Sequence, residues 1–275
     1  MGERHMWACG KVAVMERDIL EYYNEGREQD RLTSIGRLEF LRTQELLERH
    51  LPPPPVSILD IGGGAGIHAL PLQAQGYKVT LIDPVELHIQ QAREAGVVDA
   101  CIGDARHLQL PDDAADVALL LGPLYHLTEE SDRVGALKEA LRVTRSGGLL
   151  VAACISRFAS TYDGLALHYL DDPDFEKIVE NDLALGQHRN PTRRSGWFTT
   201  AYLHRPDEFA QEVTDAGWSN ASVVAVEGPG LLADVHFWLE DAERQEVLLR
   251  AIRRVESEAS ILGASPHLLA IARNH

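Results

Sequence analysis

A glycine-rich segment is the strongest chemical signal in the sequence. Residues 58–68 read ILDIGGGAGIH, which places Gly62, Gly64 and Gly66 between an apolar run and a helical pattern. Glycine permits a tight turn and lets the backbone approach a ligand closely, and the first N–H groups of the following helix have no intrahelical partner. The segment therefore predicts a binding loop for a small polar cofactor.

Carboxylates follow the next two predicted strands. Asp83 follows the strand predicted at 77–82, about 20 residues beyond the glycines, where an acidic side chain can accept hydrogen bonds from ribose hydroxyls. Asp104 follows the strand predicted at 97–102. We expect both carboxylates to lie at the crevice that the glycine loop lines. The alternative is that the glycines only form turns and the aspartates only cap helices.

A dinucleotide-binding loop is the nearest competing motif. Its pattern, G-x-G-x-x-G counted from Gly62, requires a third glycine where this chain has Ile67. The segment instead matches D-x-G-x-G-x-G, with Asp60 as the first residue. Asp60 either binds the ligand or organises the loop by bonding backbone amides.

These motifs lie in a region that alternates strand and helix. Apolar runs at 56–61, 77–82, 97–102, 115–121 and 148–155 are separated mostly by helical patterns. This alternation predicts an α/β fold with a mostly parallel, seven-stranded sheet and helices on both faces.

The flanking segments have other patterns. Helical spacing precedes the sheet, and an aromatic, charged stretch without strand and helix alternation follows it, which we interpret as an inserted lid. We divide the chain into an artificial extension or disordered arm at 1–14, N-terminal helices at 15–51, a cofactor-binding core at 52–156, a lid insertion at 157–205 and the C-terminal part of the core at 206–275.

The composition excludes several function classes. A formal net charge of −16 disfavours nucleic-acid binding, because that binding depends on lysine and arginine neutralising phosphates. Three scattered cysteines indicate a reducing compartment and suggest no metal-ligand spacing, and no segment is apolar for long enough to span a bilayer. We expect a cytoplasmic protein without a metal site, a nucleic-acid partner or a membrane partner, and either a monomer or a homodimer.

Over residues 56–155 the sequence resembles the class I S-adenosylmethionine (SAM)-dependent methyltransferases, which have a Rossmann-like fold. The resemblance is to the small-molecule branch, which includes ubiquinone and menaquinone pathway enzymes and antibiotic-tailoring enzymes. It implies SAM as cofactor and S-adenosylhomocysteine as product. It assigns Asp60, Gly62, Gly64, Leu121 and Gly122 to the methionine part of SAM.

The same resemblance also assigns residues to the ribose and the adenine of the cofactor. Asp83, with Pro84 beside it, matches the acidic residue that holds the ribose. Asp104, with Ala105 and Arg106, matches the residues that face the adenine.

The residues after the fourth predicted strand are candidates for contacting the methyl acceptor. Nucleic-acid methyltransferases that act on exocyclic amines commonly carry an Asp/Asn-Pro-Pro-aromatic motif here, whereas this chain has GPLYHL at 122–127. Tyr125 and His126 are catalytic candidates. His126 is either a general base, since its ordinary pKa is near neutrality, or a helix-start or core histidine.

Aromatic residues in the flanking segments are candidates for closing the pocket. Tyr22 and Tyr23 precede the sheet, and Tyr23 is a third catalytic candidate. Arg31 either pairs with the carboxylate of SAM or forms a surface salt bridge. The remaining substrate-binding candidates, which either sandwich a flat acceptor or form the lid's own core, are Tyr22, Trp197, Phe198, Tyr202, His204 and His236.

The sequence thus predicts a SAM-dependent methyltransferase that acts on a small, aromatic or amine-bearing metabolite of secondary metabolism. Two alternatives remain open. One is an RNA or protein methyltransferase, and the other is a catalytically silent SAM-binding domain, because a fold does not fix a function.

Overall fold

The computed structural model describes residues 17–24 and 36–275. Two expectations therefore lie outside the described residues, namely the arm at 1–14 and the cofactor contact of Arg31. Within the described ranges, no helix is long and apolar enough to cross a membrane.

A central sheet runs through the molecule. Its strands are β1 (Ser57–Ile61), β2 (Lys78–Asp83), β3 (Asp99–Ile102), β4 (Ala115–Leu120), β5 (Thr144–Ser156), β6 (Gln187–His188), β7 (Ala201–His204), β8 (Ser219–Ala225) and β9 (His267–Arg273). The main part has the order β3-β2-β1-β4-β5-β9-β8, in which only β9 is antiparallel to its neighbours. The predicted α/β fold with a mostly parallel sheet is confirmed.

Both faces of the sheet are apolar because helices cover both. Along β1, Leu59 and Ile61 pack into one buried cluster, while Ile58 packs into the cluster on the opposite face. Side chains alternate between the faces of a strand, so a strand buried on both sides is apolar throughout. This explains why the sequence shows continuous apolar runs instead of alternation.

The helices connect the strands and close the sheet. They are α1 (Arg17–Asn24), α2 (Arg37–His50), α3 (Ala69–Ala74), α4 (Glu86–Ala95), α5 (Glu130–Val143), α6 (Ala159–Ala166), α7 (Pro173–Leu185), α8 (Pro206–Asp215), α9 (Val235–Leu239) and α10 (Ala242–Arg253). Gly96 ends α4 in the left-handed conformation, with φ of 107°, which glycine adopts without steric cost.

The segment after β5 has more regular structure than its sequence indicates. It contains α6, α7 and the antiparallel pair β6–β7, and β7 extends the sheet by pairing with the end of β5, so that nine strands are joined instead of seven. These two strands are two and four residues long, which is too short for a periodic pattern to reveal them. The β6–β7 hairpin therefore lies beside the carboxyl end of β5.

A buried ion pair fixes this hairpin to the helices beneath it. Arg133 on α5 donates from Nε and Nη2 to both carboxylate oxygens of Glu212 on α8, at 2.6–3.1 Å. Its Nη1 donates to the carbonyls of Leu127 and Thr128. The guanidinium also lies 3.6 Å from the ring centroid of Tyr202 on β7. One side chain thus joins α5, α8 and the hairpin.

We predict that Arg133→Met destabilises the protein by about 3 kcal/mol or more, because it leaves a buried carboxylate with one fewer partner. Urea unfolding measures the change. Lys177→Met removes an exposed pair with Asp174 and should change the free energy of unfolding by less than about 1 kcal/mol. Equal effects of the two substitutions would show that the Arg133 network contributes no more than a surface pair.

Candidate active site

The glycine loop lies at the point where the sheet order reverses. β1 pairs with β2 on one side and with β4 on the other, and ligands bind at the carboxyl edge of such a point in open α/β sheets. Gly122, just after β4, approaches the loop so closely that a Cβ there would lie 3.0 Å from the carbonyl oxygen of Gly62. A Cβ on Gly64 would meet nothing within 4 Å, so Gly64 borders open space.

Asp60 is the unusual residue of this crevice. Its side chain is buried, and neither carboxylate oxygen has a hydrogen-bond partner in the described part of the chain. Burial, and secondly the charge of Asp83, raise the pKa of Asp60 to about 7. A buried carboxylate without a protein donor is complementary to a cationic ligand group, so the residues present fit the ammonium of the methionine part of SAM.

Asp83 organises the loop from the end of β2. Its Oδ2 accepts from the Gly64 N–H at 2.9 Å, and its Oδ1 accepts from the Val85 N–H and from His88 Nδ1, each at 2.9 Å. A carboxylate offers about four acceptor sites, so Oδ2 retains room for a hydroxyl donor. This geometry is compatible with the ribose role predicted for Asp83. Pro84 follows it and is half-buried.

Asp104 is occupied by a neighbouring guanidinium. Arg106 donates from its backbone N–H and Nε to Oδ1 and from Nη2 to Oδ2, and its Nη1 bonds Asp132. Ala105 packs its methyl group into the core, and Leu121 packs against the core cluster on the other face of the sheet. An adenine contact by Asp104 would share the carboxylate with Arg106.

A hydrogen-bonded tyrosine and histidine lie beside the carboxyl edge. His126 Nδ1 lies 3.1 Å from the carbonyl oxygen of Thr200, which can only accept, so Nδ1 carries a proton. The Tyr23 hydroxyl lies 2.5 Å from the other ring nitrogen, Nε2, and can donate to it. The structure thus brings two of the three predicted catalytic residues into direct contact.

Helix α1 is held by polar contacts against the segment between β6 and β7. Asp18 accepts hydrogen bonds from the hydroxyls of Thr199 and Thr200, and Glu21 forms an ion pair with Arg193. These contacts place Tyr23 over His126.

His88 is a site residue that the sequence interpretation missed. Its ring is buried on α4, bonds Asp83 through Nδ1 and meets the ring of Tyr23 edge-on, with centroids 5.0 Å apart. It therefore joins the predicted ribose carboxylate to the Tyr23 and His126 pair. The available sequence signal was a histidine on the buried face of a helix, where an apolar residue is usual.

An aromatic cluster surrounds His126. Phe198 lies 5.8 Å from the His126 ring, 6.3 Å from Tyr125 and 5.7 Å from Tyr22, measured between centroids. Tyr125 itself lies 4.7 Å from His126. The structure therefore brings Tyr22, Tyr125 and Phe198 together with the Tyr23 and His126 pair.

Four predicted substrate-binding residues have other partners. Trp197 packs on Tyr169 and Phe175 in a small apolar cluster on α7. His236 is exposed and pairs with Glu240.

The other two lie on the opposite face of the hairpin from this cluster. Tyr202 stacks on Arg133, and His204 is fully buried and donates from Nε2 to Glu212 at 3.1 Å. Burial lowers the pKa of His204 and keeps the ring neutral at pH 7. The structure does not bring these four residues to the candidate site.

One group among the described residues has a metal-ligand composition. Ligand atoms of Glu39, Glu227 and His267 lie within 4.8 Å of one another. His267 Nδ1 already bonds Glu227 Oε1 at 2.6 Å, and the other Glu227 oxygen accepts from Ser265. These bonds join the end of β8 to the start of β9, so the network already has a structural role.

Comparisons with known proteins show what this chain is similar to. Residues 59–152 match a family described as a methyltransferase domain. The chain is 33% identical over 132 residues, 44% of its length, to a ubiquinone biosynthesis O-methyltransferase of Agrobacterium fabrum, and the match spans 52% of that protein. It is 28% identical over 185 residues to a demethylmenaquinone methyltransferase of Renibacterium salmoninarum, covering 66% of this chain and 73% of that protein.

A solved structure has the same fold. A SAM-dependent methyltransferase of Thermotoga maritima, described as a possible histamine N-methyltransferase, aligns over 95% of this chain and all of that one, with a TM-score of 0.57 and 20% identity. Residues 59–152 therefore resemble a methyltransferase domain, and the chain has the fold of this solved structure. Its match spans about half the length of the Agrobacterium relative.

Asp60 makes stability depend on pH in the ligand-free protein. Because its folded pKa of about 7 lies above the ordinary value of 3.8, the folded state keeps a proton that the unfolded chain has lost. The stabilisation of the folded state that comes with this proton is therefore lost as pH rises from about 4 to about 7. Relative to Asp60→Asn, we predict that the wild type loses up to about 4 kcal/mol of unfolding free energy over this range, measured by urea unfolding.

Asp116→Asn is the matched control with the opposite sign. Burial raises the pKa of Asp116, but bonds from Arg145 and Ser57 outweigh it and the pKa is lowered. The wild type should therefore gain stability relative to this variant as pH rises through about 4. A flat difference between wild type and Asp60→Asn would mean that Asp60 has no perturbed pKa.

Proposed function

We propose that this protein transfers a methyl group from SAM to a small-molecule acceptor that is aromatic or bears an amine. The buried, unpartnered carboxylate of Asp60 beneath the open glycine loop carries the proposal, because it is complementary to a cationic ligand group at the end of β1. Asp83 supports it from the end of β2, where an acceptor site remains for a hydroxyl group. The two quinone-pathway relatives act on small molecules by their names, which agrees with this class of acceptor.

SAM, when bound, supplies a methyl group on a positively charged sulfur. The chain has to hold the acceptor atom in line with that methyl group and exclude water, and such positioning can supply much of the rate enhancement. Tyr22, Tyr125 and Phe198 offer aromatic faces for a flat acceptor and attract positive charge. The Tyr23 oxygen, fixed by its bond to His126, can accept a hydrogen bond from the acceptor.

Two other functions remain as competing proposals. The charge of −16 favours a small molecule over RNA, and transfer of labelled methyl groups to bulk tRNA, rRNA or cell protein would identify a macromolecular acceptor instead. A silent SAM-binding domain would bind the cofactor and methylate nothing in a panel of amines, phenols and indoles. A cytoplasmic location stays a prediction.

Cofactor binding is the first test. We predict that calorimetry detects binding of SAM and S-adenosylhomocysteine, and that Asp83→Asn weakens it at least about tenfold, or about 1.4 kcal/mol, by removing a charged acceptor of the ribose. Asp99→Asn, whose carboxylate accepts from Thr80 on the neighbouring strand, should leave the affinity unchanged. Absence of binding to the wild type would refute the proposed function.

The acceptor-orienting role of Tyr23 gives a separate prediction. Tyr23→Phe removes one hydroxyl and should lower methyl transfer to acceptors found in the panel about tenfold, while the affinity for S-adenosylhomocysteine stays within about twofold. Tyr77→Phe removes a hydroxyl that donates to the Pro52 carbonyl and serves as the matched control. Mass spectrometry of the methylated product measures the rate. Equal rates for Tyr23→Phe and wild type would exclude the role.

A further inference from the structure

We propose that His188, held by Asp182, is the base that receives the proton of a hydroxyl-bearing acceptor during methyl transfer. This inference rests on the proposed function and deepens it. It assigns a proton-accepting site to the lid and an O–H group to the acceptor.

The two residues form a buried dyad. His188 Nδ1 lies 2.7 Å from Asp182 Oδ2, and the residues are 4% and 0% exposed. The carboxylate holds the proton on Nδ1, which leaves Nε2 as the nitrogen that can accept. His188 Nε2 and Asp182 Oδ1 have no partner among the residues that the structure describes. Buried polar atoms are nearly always hydrogen-bonded, so these two atoms point to a ligand group that is bound in the working protein.

The hairpin directs His188 toward the aromatic cluster. His188 on β6 is paired with Ala201 on β7, and paired residues share one face of a sheet. Ala201 belongs to the buried cluster against which Tyr125 and Phe198 pack, and the Phe198 ring lies 6.1 Å from that of His188. Phe198 also contacts His126, so a half-buried aromatic ring adjoins both imidazoles. For an acceptor to reach Nε2 from the crevice, the Phe198 ring would have to rotate.

His126 is less suited to take the proton. Its Nδ1 donates to the Thr200 carbonyl and its Nε2 accepts from the Tyr23 hydroxyl, so both ring nitrogens are already bonded. A base needs a lone pair within reach of the proton that it removes. Nε2 of His188 supplies one, while Tyr23 and His126 orient the acceptor.

The proposed step balances without a further reactant. The acceptor oxygen forms a bond to the methyl carbon, the bond from that carbon to sulfur breaks, and its electron pair stays on sulfur. The proton of the acceptor O–H moves to His188 Nε2. The dyad becomes an imidazolium beside a carboxylate, which Asp182 stabilises, and solvent later removes the proton.

A coloured phenol tests the proton transfer without turnover. The probe is 4-nitrophenol, whose phenolate absorbs visible light, titrated into protein saturated with S-adenosylhomocysteine at a pH where the free probe is mostly protonated. We expect the bound probe to show the phenolate band. His188→Asn, which keeps a donor to Asp182 but has no base, should abolish the band. Asp182→Asn should weaken it.

Two variants separate this proposal from its alternatives. His204→Asn removes another buried histidine from the same hairpin, with a carboxylate partner in Glu212, and should leave the band intact. His126→Asn removes an orienting contact and should weaken binding of the probe, but the probe that binds should still show the phenolate band. Methyl transfer to hydroxyl acceptors should fall roughly 100-fold in His188→Asn, with the affinity for S-adenosylhomocysteine within about twofold of wild type.

Several results would overturn the proposal. They are a wild type that shows no phenolate band, a band that survives in His188→Asn, or a band that disappears in His126→Asn instead. If His188→Asn does not fold, an undiminished band in Asp182→Asn overturns the proposal by itself. If the wild type does not bind S-adenosylhomocysteine, the proposed function is refuted. If it binds S-adenosylhomocysteine but shows no phenolate band, only the role of His188 is refuted.

Discussion

The burial of an unpaired carboxylate at the end of β1 is the constraint on which the site depends. Asp60 lies beneath the glycine loop, and a Cβ on Gly63 would lie 2.6 Å from Asp60 Oδ2, so only glycine lets the loop pass this close. No described residue donates to the carboxylate. In the folded protein, ionisation of Asp60 therefore carries the free-energy cost of a buried, unpaired charge. A ligand ammonium would offset that cost directly.

Three histidines from different parts of the chain contact Tyr23 or Phe198. His88 on α4, His126 after β4 and His188 on β6 each present Nδ1 to an oxygen, supplied by Asp83, the Thr200 carbonyl and Asp182 respectively. In each ring this contact fixes the orientation of the imidazole, and in the latter two it leaves Nε2 as the nitrogen that can accept a hydrogen bond. The acceptor side of the site is thus built by contacts between segments that are distant in sequence.

This arrangement explains what could be predicted from the sequence. The parallel core and the glycine loop could be predicted from local signals. Apolar runs, glycine spacing and the acidic ends of strands are each contained in a segment of about 20 residues. The convergence of Tyr22, Tyr23, Tyr125, His126 and Phe198 at one place was a hypothesis from residue type, and the structure brings them together. Their roles stay predictions.

The positions of the remaining residues could not be predicted from the sequence, because they depend on contacts between distant segments. Composition placed Tyr202 and His204 among the lid aromatics, but the register of β6–β7 turns them toward Arg133 and Glu212, and turns His188 toward Phe198. A shift of one residue exchanges the faces of a strand, and no pattern in a four-residue strand reveals its register. His88 and Asp182 were missed because their partners become neighbours only in the folded chain.

A crystal structure of the complex with S-adenosylhomocysteine tests the central claim most directly, through the distance from the ligand's amino nitrogen to the Asp60 carboxylate. We predict that the ammonium lies within hydrogen-bonding reach of Asp60, directly or through one ordered water, with the ribose at Asp83. A complex in which the ligand lies elsewhere and Asp60 remains sealed without a cationic partner would contradict it.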